Sequence, residues 1–161
     1  MVSIDDLKSI LVLRRLSDDM LNKLLPIIDI LHFEKGELIL KEGNKGTYFY
    51  LLKQGKVILE KRLSDSISFS AGSIKAGYSF GWSAMLEEGN YTLDAIASER
   101  CEVYAIKGEK MKKILNNDHS MGYAFTQRFL HLIKSRLDRR TEQFIRLLTQ
   151  HPDIKSLNED I

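Results

Sequence analysis

At 161 residues, with 43% hydrophobic and 29% charged positions, the chain has the make-up of a single folded globular domain. A net charge of +2 is too small to argue for nucleic-acid or membrane partners, and Cys101, the only cysteine, excludes an intrachain disulfide. No apolar run approaches the ~20 residues that span a bilayer; a soluble, cytoplasmic protein is expected.

The first part of the chain, through about residue 29, reads as a helical segment. Residues 10–13 form a short apolar run that follows Asp5 and Asp6 and ends in Arg14 and Arg15, the reverse of the order in a signal peptide. Ser17 is a good N-cap, Asp18 and Asp19 suit a first helical turn, and Met20, Leu21, Leu24, Leu25 and Ile28 recur at helical spacing. Pro26 marks an end or kink near Leu25. From Ile30 the period changes to short β-rich runs at 30–33, 37–41, 48–53, 56–62, 66–71, 91–97 and 101–107, punctuated by Gly36, Gly43, Gly46, Gly55, Gly72, Gly77 and Gly81. Many short strands with regular turns imply a sandwich, barrel or jelly-roll. The serine-rich stretch 64–73 reads as a mobile hairpin tip, too short for a linker.

Helix returns at 109–116, and Asp118 is placed to cap a long last helix running to about Leu148, the segment 118–148. That helix carries two apolar stripes. Met121, Phe125, Phe129 and Leu132 form one. Leu130, Ile133, Leu137, Phe144 and Leu147 form the other at heptad spacing, with Arg140 in the remaining slot. One stripe serves the helix's own domain; the second implies a partner, most simply the same helix of another subunit, so a homodimer is expected. The tail 149–161, with Pro152, is expected to fray.

This order of helix, seven or eight short strands, a brief glycine-led helical turn, two more strands and a long helix is distinctive. Phe33-x-x-Gly36-Glu37, Glu42-Gly43-Asn44-x-Gly46, and the run from Tyr48 to Leu52 ending in Gln54-Gly55-x-Val57 resemble the opening strands of cyclic nucleotide-binding domains. Gly77-x-x-Phe80-Gly81 followed by Ala84-x-Leu86 resembles the start of that family's phosphate-binding cassette, here 77–92 within a roll at 30–117. The resemblance spans roughly Leu13 to Leu148. It implies a mostly β fold with flanking helices: a double-stranded β-helix, or jelly-roll, with an N-terminal helix and a long C-terminal dimerisation helix, like the sensor part of the catabolite activator protein.

In that family the cassette holds its ligand by backbone N–H groups at a short helix, by a glutamate after the Phe-Gly pair that accepts from the ribose, and by an arginine about ten residues later that clamps the phosphate. By this resemblance Phe80, Gly81, Trp82, Ser83, Ala84, Tyr91 and Thr92 are the ligand-binding candidates. The first device is kept; Trp82 stands at the glutamate position and Tyr91 at the arginine position. Losing a desolvated bidentate arginine costs about 2–5 kcal/mol, and losing the ribose acceptor about 1–3 kcal/mol more. Tight cyclic AMP binding by the familiar mode is therefore not expected. A small-molecule or nucleotide-like ligand is, and no cofactor is called for.

Each candidate has a plainer reading. Trp82 is either a stacking platform or a plug. Tyr91 either donates to a ligand or packs across the sheet. Ser83 belongs either to an anion nest or to a plain helix cap. Arg140 and Thr141 reach a ligand or the other subunit, or Arg140 extends to water. His32, His119, His131 and His151 are too dispersed for a metal site, and no serine or cysteine has an evident histidine base, so catalysis is not expected. About a dozen residues after Leu148 are too few for a helix-turn-helix, and DNA binding is not expected. The expectation is a stand-alone regulatory ligand sensor acting through its last helix on an unknown protein partner. The alternatives are a constitutive dimerisation or docking module with a self-filled pocket, or a cyclic nucleotide binder with altered contacts.

Overall fold

In the computed structural model of the chain, residues 1–64 and 66–150 are described; they fall into two units, Met1–Phe125 and one from Thr126 onward. The first begins with helix α1 (Ile4–Ser9), which has a reciprocal Ser3–Asp6 capping box. A 3-10 turn at Leu11–Leu13 leads to helix α2 (Asp18–Asn22), capped as expected by the Ser17 hydroxyl on the Met20 N–H. The helical segment is thus broken into short pieces. A second 3-10 turn, Leu25–Ile27, takes Pro26 where a missing N–H costs nothing.

Eight strands follow: β1 (Ile28–Phe33), β2 (Leu38–Leu40), β3 (Tyr48–Gln54), β4 (Lys56–Arg62), β5 (Ser68–Lys75), β6 (Ser79–Phe80), β7 (Asp94–Ala97) and β8 (Cys101–Lys107). They form two four-stranded antiparallel sheets, ordered β1-β8-β3-β6 and β2-β7-β4-β5, the two walls of a jelly-roll. Six strands precede the short helical turn, fewer than the seven or eight expected. The sequence reading passed over β6, whose two residues are too few to show a period. It also placed β5 early: Ser68 to Ser73 belong to a strand paired along β4, so the hairpin tip is shorter than 64–73; Asp65 lies outside the described residues.

Alternation builds the interior. Val57 and Leu59 of β4 meet Ile74, Tyr50, Leu52 and Val103 between the sheets. Strand β3 is buried on both faces, because Phe49 on its other side packs edge-on against Phe125, with ring centroids 6.2 Å apart. Lys53 of β3 pairs with Asp6, which fastens α1 to this outer face.

Helix α3 (Gly108–Asn117) is followed immediately by helix α4 (His119–Thr149). Asp118 is the expected N-cap: its carboxylate accepts from the Met121 N–H at 2.9 Å and pairs with Lys23, the residue that ends α2, at 2.7 Å. Met121 and Phe125 of the first stripe are buried. The second unit is the rest of α4, on which Leu130, Ile133, Leu137, Phe144 and Leu147 are all exposed. The tail expected to fray lies, from residue 151, outside the described residues. Among the described residues no helix is long and apolar enough to cross a membrane.

Candidate functional site

Gly81 turns the chain out of β6 in a left-handed conformation, φ +72°, and opens a 3-10 turn at Trp82–Met85. A Cβ at this position would also lie 2.8 Å from the Tyr48 carbonyl and 2.9 Å from the Tyr50 ring, so both torsion and space require glycine. The turn is held on three sides by backbone. Gly46 sits so close that a Cβ there would meet the Ala84 nitrogen and the Ser83 carbonyl carbon, both at 2.8 Å. Gly89 lies in the same way against the Ser83 carbonyl, and Gly108, the first residue of α3, against that of Ala84. No side chain could enter these three contacts without moving main chain.

Beyond the turn, residues 89–91 are tied to the loop before β3. Gly46 donates to the Gly89 carbonyl at 2.8 Å, Gly43 to that of Tyr91 at 2.8 Å, and the Tyr91 N–H to Asn44 at 2.9 Å. This is why β7 begins only at Asp94 and not at Tyr91, where the sequence placed it. Gly108 in turn donates to the Thr47 carbonyl at 2.9 Å, which closes the circuit of loop, cassette and α3.

The site's side chains are mostly aromatic. Phe80 stacks on Tyr50 at 5.1 Å, and Tyr48 lies 6.0 Å from Tyr50. Tyr91 is buried, and its hydroxyl donates to the Tyr48 carbonyl at 2.8 Å while accepting from the Tyr48 N–H at 3.0 Å. Burial raises the pKa of both Tyr50 and Tyr91, and in Tyr50 the neighbouring tyrosines, including a hydrogen bond to Tyr91, add to the effect. Trp82 is half-buried and donates its indole N–H to the buried Ser79 hydroxyl at 3.0 Å. The Ser83 carbonyl accepts from the Leu86 N–H at 3.2 Å.

Charge here is unlike that of an arginine-bearing pocket. From Phe80 to Ala97 the ionisable side chains with formal charge at neutral pH are Glu87, Glu88 and Asp94. A cation comes from elsewhere: Lys61 of β4 pairs with Glu42 and lies 3.5 Å from the carbonyl of Thr92, itself exposed. Glu42 also donates its backbone N–H to Asp94 at 2.6 Å. Sequence reasoning missed Lys61, Glu42, Tyr48 and Tyr50. Alternation with Val57 and Leu59 gives the face of β4 that Lys61 shares, but nothing within β4 shows that it meets Thr92.

Seven of the nine ligand candidates, Phe80, Gly81, Trp82, Ser83, Ala84, Tyr91 and Thr92, lie in the first unit around this turn. Arg140 and Thr141 lie on the second, where both are exposed. Among the described residues no three His, Cys, Asp or Glu side chains group to hold a metal.

Comparison with known proteins agrees with this architecture. The family model for the cyclic nucleotide-binding domain matches residues 30–118. The cGMP-dependent protein kinase isozyme 1 of Drosophila melanogaster is 24% identical over 159 residues, which is 95% of this chain but 21% of that protein. The chain therefore spans about a fifth of that relative's length. A structure from Geobacter metallireducens described as a cyclic nucleotide-binding protein is 26% identical with a TM-score of 0.73, over 85% of this chain and 99% of that one. The regulatory subunit of a cAMP-independent protein kinase A from Trypanosoma brucei, at 18% identity and a TM-score of 0.67 over 98% of this chain and 49% of that one, shares the fold.

Proposed function

Since this chain belongs to the cyclic nucleotide-binding domain family, we propose that it is a regulatory ligand-sensing module with a non-standard cassette, acting through its C-terminal helix in a dimer. The observation that carries the reading is the backbone contact of Gly108 with Ala84. A ligand that moves the turn at Trp82–Met85 must move the start of α3, and α4 follows α3 after the single residue Asp118. Binding is then converted into a change at the helix whose exposed seam would join a second copy and present a surface to a protein partner. The setting is cytoplasmic, and the reading involves no catalytic step, nucleic acid or membrane.

What supports the loss of tight cyclic AMP recognition is the use made of Tyr91. Where the family carries a phosphate clamp, this side chain is neutral and its hydroxyl is engaged with Tyr48. The same observation favours a second reading, a constitutive docking module whose pocket is filled by its own aromatic side chains. Calorimetry with cyclic AMP and cyclic GMP separates them. The unmodified protein should show weak binding, and Trp82→Glu/Tyr91→Arg should gain at least about 2 kcal/mol, roughly thirtyfold, by restoring acceptor and clamp together. Submicromolar binding by the unmodified protein would overturn the assignment of a non-standard cassette. No heat with either protein would favour the docking module.

A further inference from the structure

We infer that the anionic part of a ligand at this cassette is held by Lys61 of β4, on the strand beside the position of the family's arginine, and that Glu42 is the internal competitor for the same ammonium. The inference rests on the reading of the cassette as a ligand site and names the ligand's class: a small oxyanion carried on an apolar body.

The chain supplies no lysine or arginine between Phe80 and Ala97, so a cation for an anionic ligand has to come from another element. Lys61 is placed for that. It lies two residues beyond Leu59 and four beyond Val57, and both of these are buried between the sheets, so strand alternation starts the Lys61 stem on the interior face. The register sets Leu59 opposite Ala95 and Glu60 opposite Asp94, which brings the end of β4 beside the point where the cassette rejoins the sheet. The ammonium is 3.5 Å from the Thr92 carbonyl, at a position where the family resemblance puts a ligand contact.

The pair with Glu42 is a competitor and not a permanent seal. The side chains of Lys61 and Glu42 are 45% and 27% exposed, and ion pairs so open to water hold weakly. A ligand oxyanion brought to Lys61 therefore competes with Glu42 for the same ammonium on comparable terms. Asp94 keeps the local potential negative, so the site as built resists anions until Glu42 gives way. This explains how a cassette without an arginine would bind an anion weakly and selectively.

The test uses cyclic GMP as the charged probe and guanosine as the uncharged one, with amide spectra of the whole isotope-labelled chain as the readout. Cyclic GMP should shift the amides of residues 81–84 and of Thr92. Glu42→Gln should lower its Kd about three- to tenfold, and Lys61→Met should raise it by a similar factor, with guanosine unmoved by either change. If Lys61→Met binds cyclic GMP like the unmodified protein, the inference falls and the sensor reading stands. If neither probe shifts the cassette in the unmodified protein or in Glu42→Gln, both fall. Should Lys61→Met fail to fold, an unchanged affinity in Glu42→Gln is enough to overturn the inference.

Discussion

Replacing Tyr91 with phenylalanine removes one oxygen and should cost far more than its size suggests. The hydroxyl donates to the Tyr48 carbonyl at 2.8 Å and accepts from the Tyr48 N–H at 3.0 Å, and both bonds are shielded. Each is worth about 0.5–1.5 kcal/mol net, and a shielded partner left without a bond costs about 1–3 kcal/mol, so the pair together gives about 2–4 kcal/mol. The Tyr50 hydroxyl loses its neighbour as well, which places the loss toward the upper end. At about 2–4 °C per kcal/mol for a chain of this size, the melting midpoint should fall by about 5–15 °C. Differential scanning calorimetry measures this directly, and a urea titration with unchanged slope would show that the native state alone is affected. A fall of less than about 2 °C would refute the reasoning, since it would mean that water replaces the hydroxyl and that Tyr91 is not fixed to β3.

Gly108→Ala suits a helix start but forces a Cβ into the Ala84 carbonyl, so it should destabilise by about 1–3 kcal/mol in chemical denaturation, against the usual direction for Gly→Ala in a helix. Leu137→Glu with Phe144→Glu, both on the exposed seam, should convert a dimer into a folded monomer in sedimentation; a monomeric unmodified protein at micromolar concentration would remove the basis for this. Stability should fall at both pH extremes. Burial raises the pKa of Tyr50 and Tyr91, and that of Tyr104 is pushed up to about 12, so their contribution is complete below about pH 10 and is lost as pH rises through the folded values. Asp6, held by Lys53 and the α1 cap at about 2, contributes fully above about pH 4 and loses that contribution toward about pH 2; Asp6→Asn should flatten the acid limb and, because Asp6 also helps to raise Tyr104, trim the alkaline one.

The parts of the fold legible in the sequence are those where local chemistry and period agree. The Ser17 and Asp118 caps, β4 and β8 stand where their residues predict, because each signal is complete within a few positions. β6 was invisible because two residues carry no alternation, and β5 was shifted because serine reads as turn until its pairing with β4 is known. The site divides in the same way. Gly81 and the turn after it were legible from a glycine-led motif. The orientation of Tyr91 was not, since its partner, the Tyr48 backbone, lies 43 positions away in sequence. Lys61 escaped for a related reason: its approach to Thr92 depends on the register between β4 and β7, which no local pattern encodes.

The three glycine contacts around the turn at Trp82–Met85 separate scaffold from specificity. Because Gly46, Gly89 and Gly108 press main chain against main chain, the location of the turn depends little on which side chains it carries. Positions such as Trp82, Ser83, Asn90 and Thr92 can then be exchanged without dislodging the turn, while the glycines cannot. Under the function proposed above, such a module would be retuned from one effector to another by drift at the exchangeable positions, with the Gly108–Ala84 contact preserved throughout. The same property makes the chain a host for grafted residues at the exposed positions 86 and 87, which would inherit both the seat and the connection to α3, whereas Ala84, buried against Gly108, must stay small.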